Sequence, residues 1–232
     1  MIAYPSGDID RRLLRHWHCL GGIDEVGRGA IAGPLAVGIV VIDEKSGPPP
    51  TGIADSKMLS PAARTALVDP IREWALASAI GWASTQEVSE LRMTRALRLA
   101  SLRAYALVAT TLEYQGLAPV GAVLLDGRYD FLSEPEQKRL IGEVPLTIPD
   151  PWAEGNPDIP VATMARADQH SHVVAAASIL AKVARDRYMG EICDPGYSWK
   201  SNKGYAAPAH IEALRKLGVS QHHRRAWRLP GV

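Results

Sequence analysis

Two apolar runs constrain the fold of this chain more than any other feature. Residues 20–26 (LGGIDEV) and 35–42 (LAVGIVVI) are short, rich in branched aliphatics and bounded by turn residues. That pattern reads as two buried strands. The connection between them holds Gly27, Arg28, Gly29 and Gly33-Pro34 directly after the acids Asp24 and Glu25. Acids followed at once by glycines and a cation do not continue a core strand, so the chain must turn there for another reason.

Further strands are expected at 77–84, 120–126 and 161–165. Ser60-Pro61 supplies a cap followed by proline at the first helical position, which opens a helix to about Ala77 with Pro70 as a kink or break. Ser84 and Glu87 form a capping-box pattern that starts a helical region running to about Gln115. Ser171 to about Ile192 reads as a long helix with a small-residue patch, and 207–218 as a helix closed by Gly218. Strands alternating with helices predict an α/β fold with one central mixed five-stranded sheet flanked by helices. With 47% apolar residues among 232, the chain can bury a full core. The expected division is a lead-in at 1–19, a main domain at 20–206 interrupted by a proline- and acid-rich insertion at 133–160, and a basic helix and tail at 207–232.

The net charge of +1 names no partner, but its distribution does. From Tyr197 onward seven Lys or Arg residues face one acid, Glu212, which fits a surface for an anion, nucleic acid first. Cys19 and Cys193 form no CxxC pair, against a zinc site and in favour of a reducing compartment. No secretory leader or membrane span is read in the sequence, and a cytoplasmic protein without membrane contact is expected.

Four acids punctuate strand ends or the start of the long helix: Asp24, Glu25, Asp126 and Asp168. Strand ends in an α/β sheet open into a crevice. Carboxylates gathered there repel one another, and a divalent cation removes that repulsion. Oxygen ligands without cysteine or obligatory histidine favour Mg2+ or Mn2+ over zinc. Two such ions can clamp the attacking and leaving oxygens of a phosphodiester. Spacing alone leaves the fit incomplete, because Asp24 and Glu25 face opposite ways on a regular strand.

Longer motifs sharpen this reading. GIDEVGRGAIAGP (22–34), DSKMLS (55–60), VLLDG (123–127), ADQHS (167–171), AAASILAKVARDRYM (175–189) and NKGYAAPAH (202–210) occur in this order. Together they resemble ribonuclease HII, the type 2 ribonuclease H family, from about Gly21 to about Trp227. The resemblance implies a ribonuclease H-like fold, with 20–206 as the catalytic domain. It implies Mg2+- or Mn2+-dependent cleavage of the RNA strand of RNA–DNA hybrids, and incision at ribonucleotides embedded in duplex DNA; separately, a monomer is expected. By the family's motifs Asp24, Glu25, Asp126 and Asp168 are catalytic metal ligands, two ions being held when substrate is bound. Gly27, Arg28 and Gly29 are the GRG triplet that meets the ribose and its phosphate, and Tyr205 is the tyrosine of the KGY motif, an aromatic face for a sugar. Lys57 and Lys182 are expected phosphate contacts, although Lys182 also stands four residues before Asp186, the spacing of an intrahelical ion pair. Asp186 is read as structural, and the pairs His170/His172 and His222/His223 as surface residues.

The chain departs from the family pattern at Arg92, Ala167, His170, Ala226 and Trp227, which touches substrate-strand contacts but none of the four acids. Two other readings of the residues stand beside this one: another metal-dependent nuclease of the same fold, and a non-catalytic duplex-binding module using the basic end. The GRG turn speaks against the first, because DNA offers no 2′-OH to read. The four acids speak against the second, because unneutralised acids repel phosphate. A phosphatase of the haloacid dehalogenase type needs a second Asp two residues after its first, and Val26 and Arg128 hold those places.

Overall fold

The structure, a computed structural model, describes residues 4–133 and 159–232. The expected insertion at 133–160 falls, apart from its ends, outside the described residues. The chain opens with a helix that the sequence reading treated only as lead-in, α1 (Asp8–Leu14), followed by β1 (Cys19–Val26) and β2 (Leu35–Asp43). A 3-10 turn at Ser56–Met58 precedes α2 (Pro61–Ala66) and α3 (Val68–Trp74). Then come β3 (Ala77–Ala83), α4 (Thr85–Tyr114), β4 (Ala122–Asp126) and β5 (Val161–Met164). A second 3-10 turn (Ala167–Gln169) leads into α5 (His172–Glu191), α6 (Trp199–Asn202) and α7 (Pro208–Leu217).

The five strands form one mixed sheet in the order β3-β2-β1-β4-β5. The β1–β2 and β2–β3 pairs are antiparallel, whereas β1–β4 and β4–β5 are parallel. One face packs on α4 through Ile23, Val37, Ile39 and Leu125. The other packs on α5 and the first three helices through Leu20, Val40, Ile42 and Leu124. The small residues of α5 follow from this packing. A Cβ on Gly22 would sit 2.6 Å from the Val173 carbonyl carbon, and one on Gly38 would strike the Ala177 carbonyl. Backbone therefore lies against backbone, and large side chains on that helix face would push it off the sheet.

Two expected helices break elsewhere than the sequence indicates. The helix expected over 60–77 divides at Leu67, not at Pro70, which sits in the first turn of α3 where a missing N–H costs nothing. The region from Thr85 is two helices merged across Arg92, whose φ of 64° and ψ of 174° are not helical. Its start is as the capping box requires. Glu87 N–H donates to Ser84 Oγ at 3.1 Å and Ser84 N–H to Glu87 Oε2 at 2.7 Å. Among the described residues no helix is long and apolar enough to cross a membrane, and both cysteines are free thiols.

Candidate active site

The site forms where β1 and β4 end side by side. Ile23 with Leu125 is the last pair between β1 and β4, so Asp24 and Asp126 stand at the same level just beyond it, each still paired to its other neighbour strand. Asp24 is 5% exposed, and its Oδ1 accepts the Glu25 N–H at 2.7 Å. Its carboxyl is held well above the usual carboxylate range, first by burial and then by the negative charges of Glu25, Asp126 and Asp168; a hydrogen bond from Ser178 of α5 works against them. Glu25 lies one residue on in an unbroken strand, with Arg28 Nη1 3.4 Å from its Oε1. Burial pushes its carboxyl up as well, and its Oε2 is buried with no hydrogen-bond partner. Asp126 Oδ1 accepts the Ala167 N–H at 2.6 Å, which ties β4 to the turn carrying Asp168. Asp168 is 2% exposed, and its carboxyl is pushed up to about 6 by burial and by the neighbouring Asp55 and Asp126.

Asp55 is the residue that sequence reasoning missed. It stands in the DSK motif, where only Lys57 drew notice. Its buried side chain caps the 3-10 turn by accepting the Lys57 N–H at 2.9 Å, and it lies beside the Asp168 carboxyl, which it pushes up. Lys57 is brought to the same place. Burial opposes its charge, but Asp24, Asp55, Asp168 and Asp126 outweigh burial and hold the ammonium above its ordinary range.

The fit to divalent cations follows from these groups. The donors are hard oxygens, three of the carboxyls hold their protons more tightly than usual, and one buried carboxylate oxygen lacks a donor. A cation relieves all of this at once. Among the described residues no group of three or more Asp, Glu, His or Cys side chains is drawn together closely enough to hold a metal ion by itself. An open arrangement suits Mg2+, which keeps several waters and takes substrate phosphate oxygens as ligands.

The GRG triplet divides into separate tasks. Gly27 has φ +94°, and a Cβ there would land on the Arg185 guanidinium. Gly29 has no such φ and no atom within 4 Å of its notional Cβ, so its surface is open. Arg28 is exposed at the same edge. Two buried arginines hold this turn from beneath: Arg185, which the sequence reading gave no role, and Arg224, which it counted with the basic end as part of a surface for an anion. Arg185 of α5, fully buried, donates to the carbonyls of Pro34 (2.9 Å), Lys203 (2.9 Å) and Ala32 (3.2 Å). Arg224 donates to Gly33 (3.1 Å), Arg28 (3.2 Å) and Pro34 (3.2 Å). Tyr205 is half-buried beside them, with the Arg185 guanidinium 5.5 Å and Lys182 Nζ 5.9 Å from its ring centre.

Lys182 forms the expected intrahelical pair with Asp186 at 2.7 Å. Asp186 also receives Arg64 at 3.8 Å, and its carbonyl accepts Lys203 Nζ at 3.2 Å, a structural role. Two departures from the family pattern meet each other, for Arg92 Nη1 donates to the Ala226 carbonyl at 2.9 Å. Trp227 lies 5.0 Å from the Arg224 guanidinium. The histidines need correction: His223 is 1% exposed, not a surface residue, and His172 is half-buried against Asp10.

Comparison with known proteins fits this arrangement. The family model described as Ribonuclease HII matches residues 21–229. The chain belongs to the ribonuclease HII family. A ribonuclease HII of Streptomyces griseus is 39% identical over 230 residues, covering 96% of this chain and 84% of its own. Membership makes the chain a ribonuclease H, a hydrolase acting on the RNA of RNA–DNA hybrids. Among solved structures, ribonuclease H2 from Pyrococcus horikoshii OT3 superposes with a TM-score of 0.62 at 24% identity, covering 91% of this chain and 94% of the other. Bst-RNase HIII in complex with Mn2+ superposes with a TM-score of 0.56 at 19% identity, covering 92% of this chain and 67% of the other. Both likenesses establish the ribonuclease H-like fold.

Proposed function

We propose that this ribonuclease HII incises duplex DNA 5′ to an embedded ribonucleotide as well as cutting hybrids, using two divalent ions held by Asp24, Glu25, Asp126 and Asp168. The observation that carries this reading is the adjacency of the acid row to the open face of Gly29. Mn2+ or Mg2+ matches the donor set, and a neighbour of the same fold is in complex with Mn2+. When bound, such ions lower the pKa of an attacking water and offset charge on the departing 3′-oxygen, giving a 3′-OH and a 5′-phosphate.

The residues of the chain do the rest. Gly29 lets backbone approach the ribose, where N–H and C=O groups meet the 2′-OH as donor and acceptor. Arg28 holds the adjoining phosphate and Tyr205 packs on a sugar. Lys57, exposed beside the acid cluster, reaches the scissile phosphate more directly than Lys182, whose ammonium is shared with Asp186.

The test is incision of a duplex carrying one ribonucleotide, with and without Mn2+ or Mg2+, beside an all-DNA duplex. Metal-dependent cutting 5′ to the ribonucleotide alone supports the proposal. Equal cutting of the all-DNA duplex, or cutting that persists in chelator, overturns it.

A further inference from the structure

Beneath Tyr205 lies a buried polar pair that the reaction does not use. His210 of α7 and His223 are both buried, and their Nε2 atoms are 3.0 Å apart. Rings of Tyr197 and Trp199 pack around them. Their partners fix where the protons sit. His210 Nδ1 is 2.9 Å from the Tyr205 carbonyl, which only accepts, so this nitrogen carries a hydrogen. The other nitrogen of His210 faces Trp199 Nε1, a pure donor, at 3.4 Å, so it is bare. His223 Nδ1 accepts the Ser220 N–H at 3.0 Å, so it too is bare, and the hydrogen of His223 sits on Nε2, aimed at His210. The two assignments, made from opposite ends, agree.

The result is a directional chain in which Ser220 N–H donates to His223, His223 to His210, and His210 to the Tyr205 carbonyl. One end is the Tyr205 turn, which meets substrate in the function proposed above, and the other adjoins the 222–224 segment that backs residues 31–33. Gly204, next to Tyr205, accepts the N–H groups of Ile31 (2.9 Å) and Ala32 (3.1 Å). Flanking His223, the His222 carbonyl accepts the Gly33 N–H at 2.8 Å and Arg224 N–H donates to the Ile31 carbonyl at 2.9 Å. The 30–33 segment after the GRG triplet is thus held between the Tyr205 turn and the 222–224 segment, which bridges Ala32 at His223, and the histidine pair joins those two supports.

We infer that His210 and His223 are positioning residues, which set Tyr205 against the GRG turn and do so only while both rings are neutral. A further proton sets either Nε2–H against Nε2–H, or His223 Nδ1–H against Ser220 N–H with only the Ser220 hydroxyl, 2.9 Å away, left to accept it, and one link of the chain opens. The titratable groups facing the pair are Asp194, which favours a proton on His210, with Tyr197 and His222. Burial prevails, holding both imidazoles below their usual range, His223 at about 4 with the neighbouring His210 contributing.

The inference rests on Tyr205 and the 27–29 turn touching substrate, and the experiment separates the two claims. Nitrogen-15 NMR of the intact protein at pH 7 and 5.5 reads the tautomers directly. His210 is expected as Nδ1–H and His223 as Nε2–H, both neutral at either pH. The opposite tautomers, or ordinary titration between these values, overturn the inference without any variant. In kinetics on the single-ribonucleotide duplex, His223→Leu removes the donor and is expected to raise KM by about tenfold with kcat changed less than about threefold. His223→Gln keeps an amide donor toward His210 and is expected within about threefold of wild type on both. If Tyr205→Ala also weakens KM, a wild-type KM for His223→Leu, or for both variants, sinks the histidine role alone. If Tyr205→Ala leaves KM untouched, the substrate role of Tyr205 fails and the inference falls with it. Should His223→Leu fail to fold, the NMR tautomers and His223→Gln decide.

Discussion

A methyl group at position 29 points into open space, whereas one at position 27 lands on Arg185. Gly29→Ala is therefore expected to fold and bind Mn2+ normally yet lose incision at a ribonucleotide by about a hundredfold, because a positioned hydrogen bond to a substrate hydroxyl is displaced. Gly27→Ala combines a left-handed φ with a clash and should cost about 2 kcal/mol or more of stability. Thermal melts beside incision assays separate the two, and a wild-type rate for folded Gly29→Ala would reduce the turn to a hairpin. Asp126→Asn makes a complementary case. The amide oxygen still accepts the Ala167 N–H, so the turn stays in place while the charge disappears. Cleavage should fall by at least about a hundredfold with hybrid binding retained; near-normal turnover would remove Asp126 from the site. The acids and the triplet were legible in the sequence because each sits at a strand end or inside a compact motif. Asp55 was not, since a lone Asp before a 3-10 turn looks like any cap until the fold sets it against Asp168.

At the scale of elements, α5 does more than pack. Its buried Arg185 organises the 32–34 loop and the Tyr205 turn through three carbonyls. Arg185→Lys keeps the charge but has neither the fork nor the reach, and buried acceptors left without donors are costly. We expect a loss of about 3 kcal/mol in urea melts; a loss below about 1 kcal/mol would show that the loop stands without it. The strands and the two long helices were readable because their signals are local: apolar runs, a capping box, a cap followed by proline. The break at Arg92 was not, since its backbone lies outside the helical region while its side chain reaches the Ala226 carbonyl, 134 positions away in sequence. The helix division at Leu67 escaped for a related reason: proline announces a break by its chemistry, yet it is harmless in a first helical turn. Nor could sequence spacing pair His210 with His223, whose partnership depends on how α7 and the 220–227 segment close over one small core around Trp199.

For the molecule as a whole, the acid row couples folding to pH and to metal. Asp168 holds its proton up to about 6 in the fold, against 3.8 ordinarily. A raised carboxyl pKa stabilises the fold below the unfolded value, and that contribution is lost as pH rises through the folded value. The buried histidines pull the other way, since His223, lowered to about 4, is fully stabilising above the unfolded value of 6.5 and loses that contribution as pH falls. The difference between Asp168→Asn and wild type isolates the carboxyl. Without metal, the Tm of the variant should match wild type near pH 4 and exceed it at pH 7 by about 3 °C, roughly 1 kcal/mol in a chain of this size. Added Mn2+ should reverse the order at pH 7. A pH-independent difference would mean that Asp168 carries no strain. A different consequence follows from Arg224, which grips the Gly33 carbonyl from 191 positions further along the chain. A ribosome completes the acids of β1 and β4 long before it adds that arginine. A nascent chain therefore holds the acids of β1 and β4 before the arginine that braces the carbonyls of Arg28, Gly33 and Pro34 exists, and those three acceptors wait on residue 224 for their donor.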